Sequence, residues 1–407
     1  MSPMPDRYKY KAVSETGEHT SGIISAPGIE QVEEHLRKRR LLPVRIKALG
    51  EKKPFPLFGL QRDADYERLI MFTTSLSTMH RAGIPILRAL SVIHVGKPGS
   101  RLQYIVDRIQ EQVRSGRLIS EAMANYSDVF SPVYTASVAA GEESGRLEHT
   151  LDELAEMLER QLELNRHIKT AVRYPLIVVG VIFAAFFVLM NFVIPRFVSF
   201  YSSFDAELPW ATKVIIAISN FVSGYWPLIL AGAAVLAVGF KKFIDTPNGR
   251  RQYDRLLLRL PVLGDLTIKG NVARFCLMFR ILFKSGLPLV QSLSILSGTV
   301  KNTIIGQEIT RLEELFRRGR DIESLRGDFE YFPAEALQML AVGLESGNLE
   351  RMLRELANHY SRQVLYTSRH LTSIIEPALT LVMAVFVLIL ALAIFLPMWN
   401  LITVFSG

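Results

Sequence analysis

The sequence Ala82-Gly83-Ile84-Pro85 is followed further along the chain by Gly141-Glu142-Glu143-Ser144-Gly145, and both motifs occur again as Ser285-Gly286-Leu287-Pro288 and Gly343-Leu344-Glu345-Ser346-Gly347. The copies are 203 residues apart at Gly83 and Gly286 and 202 apart at Gly141 and Gly343, so a single deletion keeps them in register. Each copy then enters an apolar segment with a proline at both ends, Pro175 to Pro195 and Pro377 to Pro397. This pattern predicts an internal duplication of a helical cytosolic unit plus a membrane span.

The first motif is typical of a corner between two helices. Gly83 and Gly286 can adopt the left-handed conformation that caps a helix at its C-terminus. Pro85 and Pro288 suit the first turn of the helix that follows. We therefore expect a helix corner at each copy of Gly-x-Pro.

The second motif allows two interpretations. Its residues are Gly141, Glu142, Glu143 and Gly145 in the first copy, and Gly343, Glu345 and Gly347 in the second. It is either a tight turn between helices, in which glycine frees the backbone, or an exposed acidic site for a partner or a cation. Both copies should break one helix and start a long one that continues towards the membrane.

Three apolar stretches are long enough to cross a bilayer, which needs about 20 mostly apolar residues. They are Leu176–Ile194, Val214–Phe240 and Ala378–Leu396, and none contains a charged side chain. A buried core helix is the alternative for the first and third, but uncharged runs of this length favour membrane spans. Pro175 and Pro377 stand where cytosolic helix becomes span, so a kink is expected at each.

Basic residues flank the three spans and orient them. Under the positive-inside rule, 1–173 and 241–376 are cytoplasmic. The predicted divisions are an N-terminal cap and linker (1–60), a first bundle (61–173), a span (174–195), a periplasmic loop (196–213), a span (214–240), a second bundle (241–376), a span (377–397) and a short periplasmic tail (398–407). The N-terminus lacks the apolar segment of a cleaved signal peptide, so none is expected.

The fold class that follows is a mainly α-helical membrane protein with a small α/β cap. In the cap, strands are predicted over Tyr8–Val13, Thr20–Ser25 and Pro43–Ala48, with a helix over Gly28–Arg40. Each later unit reads as an antiparallel bundle of about six helices, because apolar residues recur there at spacings of three and four.

Composition argues against an enzyme and against nucleic-acid binding. The chain has 407 residues, one cysteine and eight histidines, and the histidines show no metal-ligand spacing. Phosphate-binding, dinucleotide and hydrolase motifs are absent, so no cofactor or metal is expected. The net charge of +8 reflects basic residues that flank spans and alternate with acids. Two other classes remain as alternatives. A transporter is one, but three spans with few polar side chains make a poor pathway. A membrane enzyme is the other, and it would need a convergent polar site.

The repeated motifs, together with the cap and the spans, resemble the general secretion pathway protein F family of type II secretion, which is similar to the platform proteins of type IV pilus assembly. The motifs match the family's Ala/Ser-Gly-x-Pro corner and Gly-Glu-x-Ser-Gly turn. One position departs from the pattern, since Leu344 stands where the first copy has Glu142. The cap residues that share in the resemblance are Tyr8, Tyr10, Ala12, Gly17, Gly22, Leu36 and Pro43.

This resemblance implies a non-enzymatic platform in the bacterial inner membrane, multi-pass and with a cytoplasmic N-terminus. Its implied partners are the cytosolic secretion ATPase, other inner-membrane secretion components, pseudopilins, membrane lipid and further copies of itself. The platform would couple the ATPase to pseudopilus assembly; a platform of a type IV pilus system is the alternative. The difference between Glu142 and Leu344 suggests that only the first bundle's turn meets a charged partner, with drift at an exposed turn as the competing explanation.

Overall fold

The structure is a computed structural model that divides into two compact units, Met1–Asp65 and Tyr66–Gly407. It describes residues 6–14, 19–26, 33, 36–37, 41–49, 60–95, 100–188, 191–192, 195–196, 210–319 and 329–405.

The first unit contains a three-stranded antiparallel sheet with the strand order β2-β1-β3. The strands are β1 (Asp6–Ser14), β2 (His19–Ala26) and β3 (Leu41–Leu49), and they include the three predicted strand segments. Pro43 lies on the edge strand β3, where a missing backbone donor is tolerated. The predicted helix over Gly28–Arg40 lies mostly outside the described residues, as do the turn at 15–18 and the linker at 51–59. The α/β character of the cap therefore stays a prediction.

The second unit is helical, and its first six helices form the first copy of the duplication. They are α1 (Leu60–Arg81), α2 (Ile86–Val92), α3 (Arg101–Arg114), α4 (Ile119–Ala124), α5 (Pro132–Glu143) and α6 (Leu147–Val188). Helices α7 (Trp210–Ile244) and α8 (Pro247–Arg259) then lead to the second copy. Its helices are α9 (Leu263–Lys284), α10 (Leu289–Thr299), α11 (Thr303–Arg317), α12 (Ala334–Glu345) and α13 (Leu349–Phe405).

The two copies share one helix order at the offsets read from the sequence. Helix α9 begins 203 residues after α1, and α13 begins 202 residues after α6. The counterpart of α4 falls within 320–328, outside the described residues. The duplication is thus visible in the helices as well as in the motifs.

Equivalent aromatic pairs mark the core of each copy. The rings of Phe72 and Phe130 meet edge to face at 6.0 Å, and those of Phe275 and Phe332 at 5.3 Å. Phe72 and Phe275 occupy the same position in α1 and α9. Both are fully buried within one hydrophobic cluster that extends through both copies. Aromatic pairs of this geometry stabilise a core beyond the area that they bury.

Both Gly-x-Pro motifs form the predicted corners. Gly83 has φ +77° and Gly286 has φ +91°, in the left-handed region. At the first corner the N–H of Ile84 donates to the carbonyl of Met79 at 3.0 Å, and at the second the N–H of Leu287 donates to the carbonyl of Leu282 at 3.1 Å. These bonds form the Schellman cap of a helix end. Pro85 and Pro288 then stand at the N-cap of the following helix, one position before the predicted first turn.

One of the described helices, α6, is long and apolar enough to cross a membrane. The other two predicted spans lie within α7 and α13. Helix α7 begins at Trp210, inside the predicted loop, and α13 continues to Phe405, through most of the predicted tail. Pro175 and Pro377 are both inside helices that continue without a break. A kink at either proline stays a prediction.

We expect Gly83→Val to lower the free energy of unfolding by about 1 kcal/mol or more, because a β-branched residue is strained at positive φ. Gly298 is the control, since it lies on an exposed part of α10 with open space around it. Gly298→Ala should leave stability unchanged or raise it by up to about 1 kcal/mol. Thermal unfolding of the purified chain in detergent measures both. Equal unfolding temperatures for Gly83→Val and the parent would contradict this account of the corner.

Candidate functional site

The turn between α5 and α6 uses one glycine of its motif for the reversal of the chain. Gly145 has φ +66°, and Gly347, at the same place in the second copy, has φ +68°. The N–H of Arg146 donates to the carbonyl of Gly141 at 2.9 Å, closing the end of α5. Gly141 itself is helical, so the expectation that both glycines of the motif free a turn was wrong for Gly141 and Gly343.

Gly141 and Gly343 instead permit close packing of two helices. A Cβ atom at Gly141 would lie 2.7 Å from Oγ1 of Thr150, and one at Gly343 would lie 2.9 Å from Cγ of Met352. Helix α6 therefore folds back tightly on α5, and α13 on α12. Only glycine leaves room for a neighbouring helix at this distance.

Glu142 has a structural role that the sequence did not reveal. Its Oε1 accepts a hydrogen bond from the N–H of Ile119 at 2.8 Å, and its Oε2 accepts one from the N–H of Ser120 at 3.0 Å. These groups begin α4, whose N-cap residue Leu118 offers no side-chain hydrogen bond. The first N–H groups of a helix lack partners within it and favour a negative charge. Glu142 is thus a half-buried cap for α4, not a freely exposed docking acid.

The second copy differs at the position of Glu142. Leu344 replaces Glu142 and packs against the hydrophobic core. Oε1 of the buried Glu308 accepts from the backbone N–H groups of Glu330 and Tyr331, at 2.7 and 3.0 Å. These two N–H groups correspond to Asp128 and Val129 of the first copy, which follow α4. Leu344 has no side-chain acceptor, so the capping role of Glu142 belongs to the first copy. Glu143 and Glu345 are exposed at the two turns. They are therefore the acids of the motif to which the predicted partner-binding role can still apply.

Charged residues join the two copies across their interface. Glu153 of α6 is hydrogen-bonded to Lys284 and, through Oε2, to Nη2 of Arg280 at 3.1 Å, both on α9. The Glu153 side chain is 13% exposed and that of Arg280 is 11% exposed. Removing one partner of a buried ion pair leaves an uncompensated charge, which is strongly destabilising. This cluster therefore fixes the second copy on the first.

Earlier in α9, Arg274 is partly buried and its Nη2 donates to Oδ1 of Asn165 at 2.7 Å. Burial lowers the pKa of the Arg274 guanidinium, and the neighbouring Tyr66 phenol opposes that shift. A Cβ atom at Gly270 would lie 3.0 Å from Cδ1 of Ile168. Helix α9 therefore follows α6 from Gly270 to Lys284. The available sequence signal was a pair of arginines, Arg274 and Arg280, within the otherwise apolar run 272–283.

The described residues contain no cluster of metal-ligating side chains. Among them, no three His, Cys, Asp or Glu side chains come together as a metal site would require. Cys276 is fully buried, and burial raises the pKa of its thiol. A thiol that stays protonated in the core is a packing residue, as its position in α9 predicts.

The fold and its charged interface define a class of protein in which a duplicated helical bundle continues into an apolar helix. The chain matches the family described as "Type II secretion system, protein F" over residues 72–195 and 275–397, and the N-terminal domain of the same family over 4–47. It belongs to the type II secretion system protein F family.

Relatives with two kinds of name are similar over nearly the whole chain. It is 31% identical to the type IV pilus assembly protein PilC of Pseudomonas aeruginosa, over 91% of this chain and 98% of that protein. The PilC protein of Thermus thermophilus is also 31% identical, over 98% of this chain and 99% of its own length. The type II secretion system protein F of Pseudomonas aeruginosa is 28% identical, over 97% and 98%.

We expect Glu142→Ala to lower the free energy of unfolding by about 1–2 kcal/mol, because it removes the acceptor for two N–H groups at the start of α4. Glu143→Ala, at the neighbouring exposed position, should change it by no more than about 0.5 kcal/mol. Thermal unfolding of the two variants side by side provides the measurement. Equal stability would mean that the carboxylate of Glu142 does not cap α4.

Proposed function

We propose that this chain is the inner-membrane platform of a type II protein secretion machine, coupling a cytosolic secretion ATPase to pseudopilus assembly. The supporting observation is the continuity of α6 and α13. Each begins packed in its bundle, at Leu147 and Leu349, and continues as one helix into its apolar segment. Continuous helices can carry a displacement of the bundles to the bilayer.

The proposed topology has three spans, at 174–195, 214–240 and 377–397, in the bacterial inner membrane. Large apolar side chains are exposed on all three helices, including Phe183 of α6, Leu236 of α7 and Leu381 of α13. Exposed apolar surface of this extent favours contact with lipid rather than water. The bundles 61–173 and 241–376, with the cap, would then be cytoplasmic, and 196–213 and 398–407 periplasmic.

The proposed mode of action is non-enzymatic, with no cofactor. The partners that we propose are the cytosolic ATPase, other inner-membrane secretion components, pseudopilins and lipid. The first bundle and the cap are the proposed docking surface for the ATPase. Glu143 is the acid of its turn that remains available to such a partner, because Glu142 is occupied by α4.

A platform in a type IV pilus system is the second candidate. Two observations favour it, namely the 31% identity to the two PilC proteins and their near-complete coverage. Complementation separates the candidates. Expression in hosts that lack either their secretion platform or their pilus platform should restore protein secretion in the first host if the type II proposal holds. Restoration of piliation alone would favour the pilus system.

We expect the loop between α6 and α7 to be periplasmic. In a Cys276→Ser background, a cysteine at Ser202 should react with a membrane-impermeant maleimide in cells whose outer membrane has been made permeable. A cysteine at Ser100 should be protected until the cells are lysed. Labelling at Ser100 with protection at Ser202 would reverse the topology that the basic flanking residues predict.

We expect the continuity of α6 to be necessary for activity. Replacing the three residues 170–172 with glycine weakens the helix by about 1 kcal/mol per residue relative to alanine. The glycine variant should insert and accumulate normally but lose most secretion in the complementation assay, whereas the matched alanine variant keeps it. Full secretion by the glycine variant would show that α6 does not transmit motion.

A further inference from the structure

The two copies meet through different faces, so their contact is head to tail. Helix α9 of the second copy packs on α6 of the first through Gly270, Arg274, Arg280 and Lys284. Of the equivalent positions in the first copy, Glu67, Met71 and Arg81 are exposed, whereas Ser77, the equivalent of Arg280, is buried and donates to Asp152. We call Glu67, Met71, Thr74 and Thr78 the α1 face, in which the Met71 side chain is 50% exposed.

The receiving side shows the same difference. On α6, Met157 and Leu164 are buried, and Leu164 is only 3% exposed. Their equivalents on α13 are His359 and Tyr366, and Tyr366 is 68% exposed. The surface that covers this side of α6 is thus lacking on α13. We call Glu355, His359, Arg362, Tyr366 and His370 the α13 face.

In a head-to-tail contact the two partners use different surfaces, so the α1 face and the α13 face are both left without a partner from the repeat. These two faces can join successive copies of the chain. We propose that a second copy of this chain docks its α1 face on the α13 face of the first, repeating the contact that joins the two repeats within one chain. This proposal rests on the fold and is independent of which machine the platform serves.

The groove on the α13 face fits Met71. It has a volume of about 460 Å³ and is lined by Lys269, His359, Arg362, Gln363 and Tyr366. Within the chain, Arg274 lies close to Tyr66, the equivalent of Lys269. The residue equivalent to Arg274 is Met71. Within the chain the inserted side chain is the cation, Arg274, whereas in the proposed contact the cation is Lys269 in the wall of the groove. The inserted Met71 is uncharged, so no two cations meet. A methionine sulfur also packs favourably on an aromatic ring such as that of Tyr366.

Polar side chains lie at both ends of the proposed contact. The pair Lys284 and Glu153 within the chain corresponds to Arg81 of one copy and Glu355 of the other, and both are exposed. Arg81 also pairs with Glu148 and Asp152 of its own copy, so Glu355 would join an existing ion-pair cluster. Gly270, which approaches Ile168, corresponds to Glu67, and Ile168 corresponds to His370. Glu67, which also pairs with Arg166 of its own copy, would thus lie beside the imidazole of His370, which can donate a hydrogen bond. Complementary charge sets the register of an interface and disfavours wrong partners.

Crosslinking between two differently tagged full-length copies tests the proposal. In a Cys276→Ser background, one copy carries Met71→Cys and the other Tyr366→Cys, and membranes are treated with a short bismaleimide. A covalent dimer with both tags is expected. The control replaces Tyr366→Cys with Leu256→Cys on α8, whose side chain is 61% exposed. Equal yields from the two pairs, or no doubly tagged product from cysteines that react with a monofunctional maleimide, overturn the proposal.

A second measurement separates this interface from a chance encounter. Copies with Glu67→Cys and His370→Cys should also crosslink, since they correspond to the contact between Gly270 and Ile168. Met71→Arg should lower that yield about tenfold or more, because it brings a third cation against Lys269 and Arg362. Met71→Leu should keep it. Equal yields from the Arg and Leu variants, or capture of a different protein in place of the second copy, contradict the docking of Met71 in the groove.

Discussion

The structure depends on the burial of α9 between the two long helices. This helix is buried on nearly all sides, yet it contains Arg280 and Lys284. They are compensated by Glu153, which comes from the other copy of the duplication. Oε1 of Glu350 on α13 also lies 3.7 Å from Nε of Arg280, but the closer contacts of both cations need α6 of the first copy in place. Loss of those contacts would leave poorly compensated buried charge, which is costly. The two bundles are therefore one folding unit, despite their origin as a repeat.

That dependence fixes the two long helices relative to each other. Arg160 of α6 donates from Nη1 to Oδ1 of Asn358 of α13 at 2.8 Å, a second direct link between the copies. A displacement applied to one bundle is then shared by both helices and by their apolar segments. For the platform role that we propose, this coupling matters more than any single exposed residue. The same duplication also leaves unequal surfaces, since α1 keeps a polar face where α9 is buried.

The sequence predicted the parts of this architecture that depend on local chemistry. Gly83 and Gly286 act through their own backbone conformation. Because the motif recurs at a fixed offset, each copy supported the prediction made from the other. The role of Glu142 was missed because its partner is the start of α4, 23 residues earlier. The pair of Glu153 and Arg280 is separated by 127 residues and breaks the symmetry of the repeat, so no periodicity or motif points to it. The close approach of α6 to α5 at Gly141 likewise depends on the packing of two helices, whereas the motif alone suggested a turn.

Hydrogen–deuterium exchange on the purified full-length chain tests most directly whether α9 is the element that unites the two copies. Helices α1 and α9 occupy the same place in the repeat, so unequal protection must come from the contact between copies. The account predicts that amides of Leu263–Lys284 exchange about ten times more slowly than those of Leu60–Arg81, or slower still, because opening α9 requires the copies to separate. It also predicts that Glu153→Gln removes most of this difference. Equal exchange from α1 and α9 in the parent chain would contradict it.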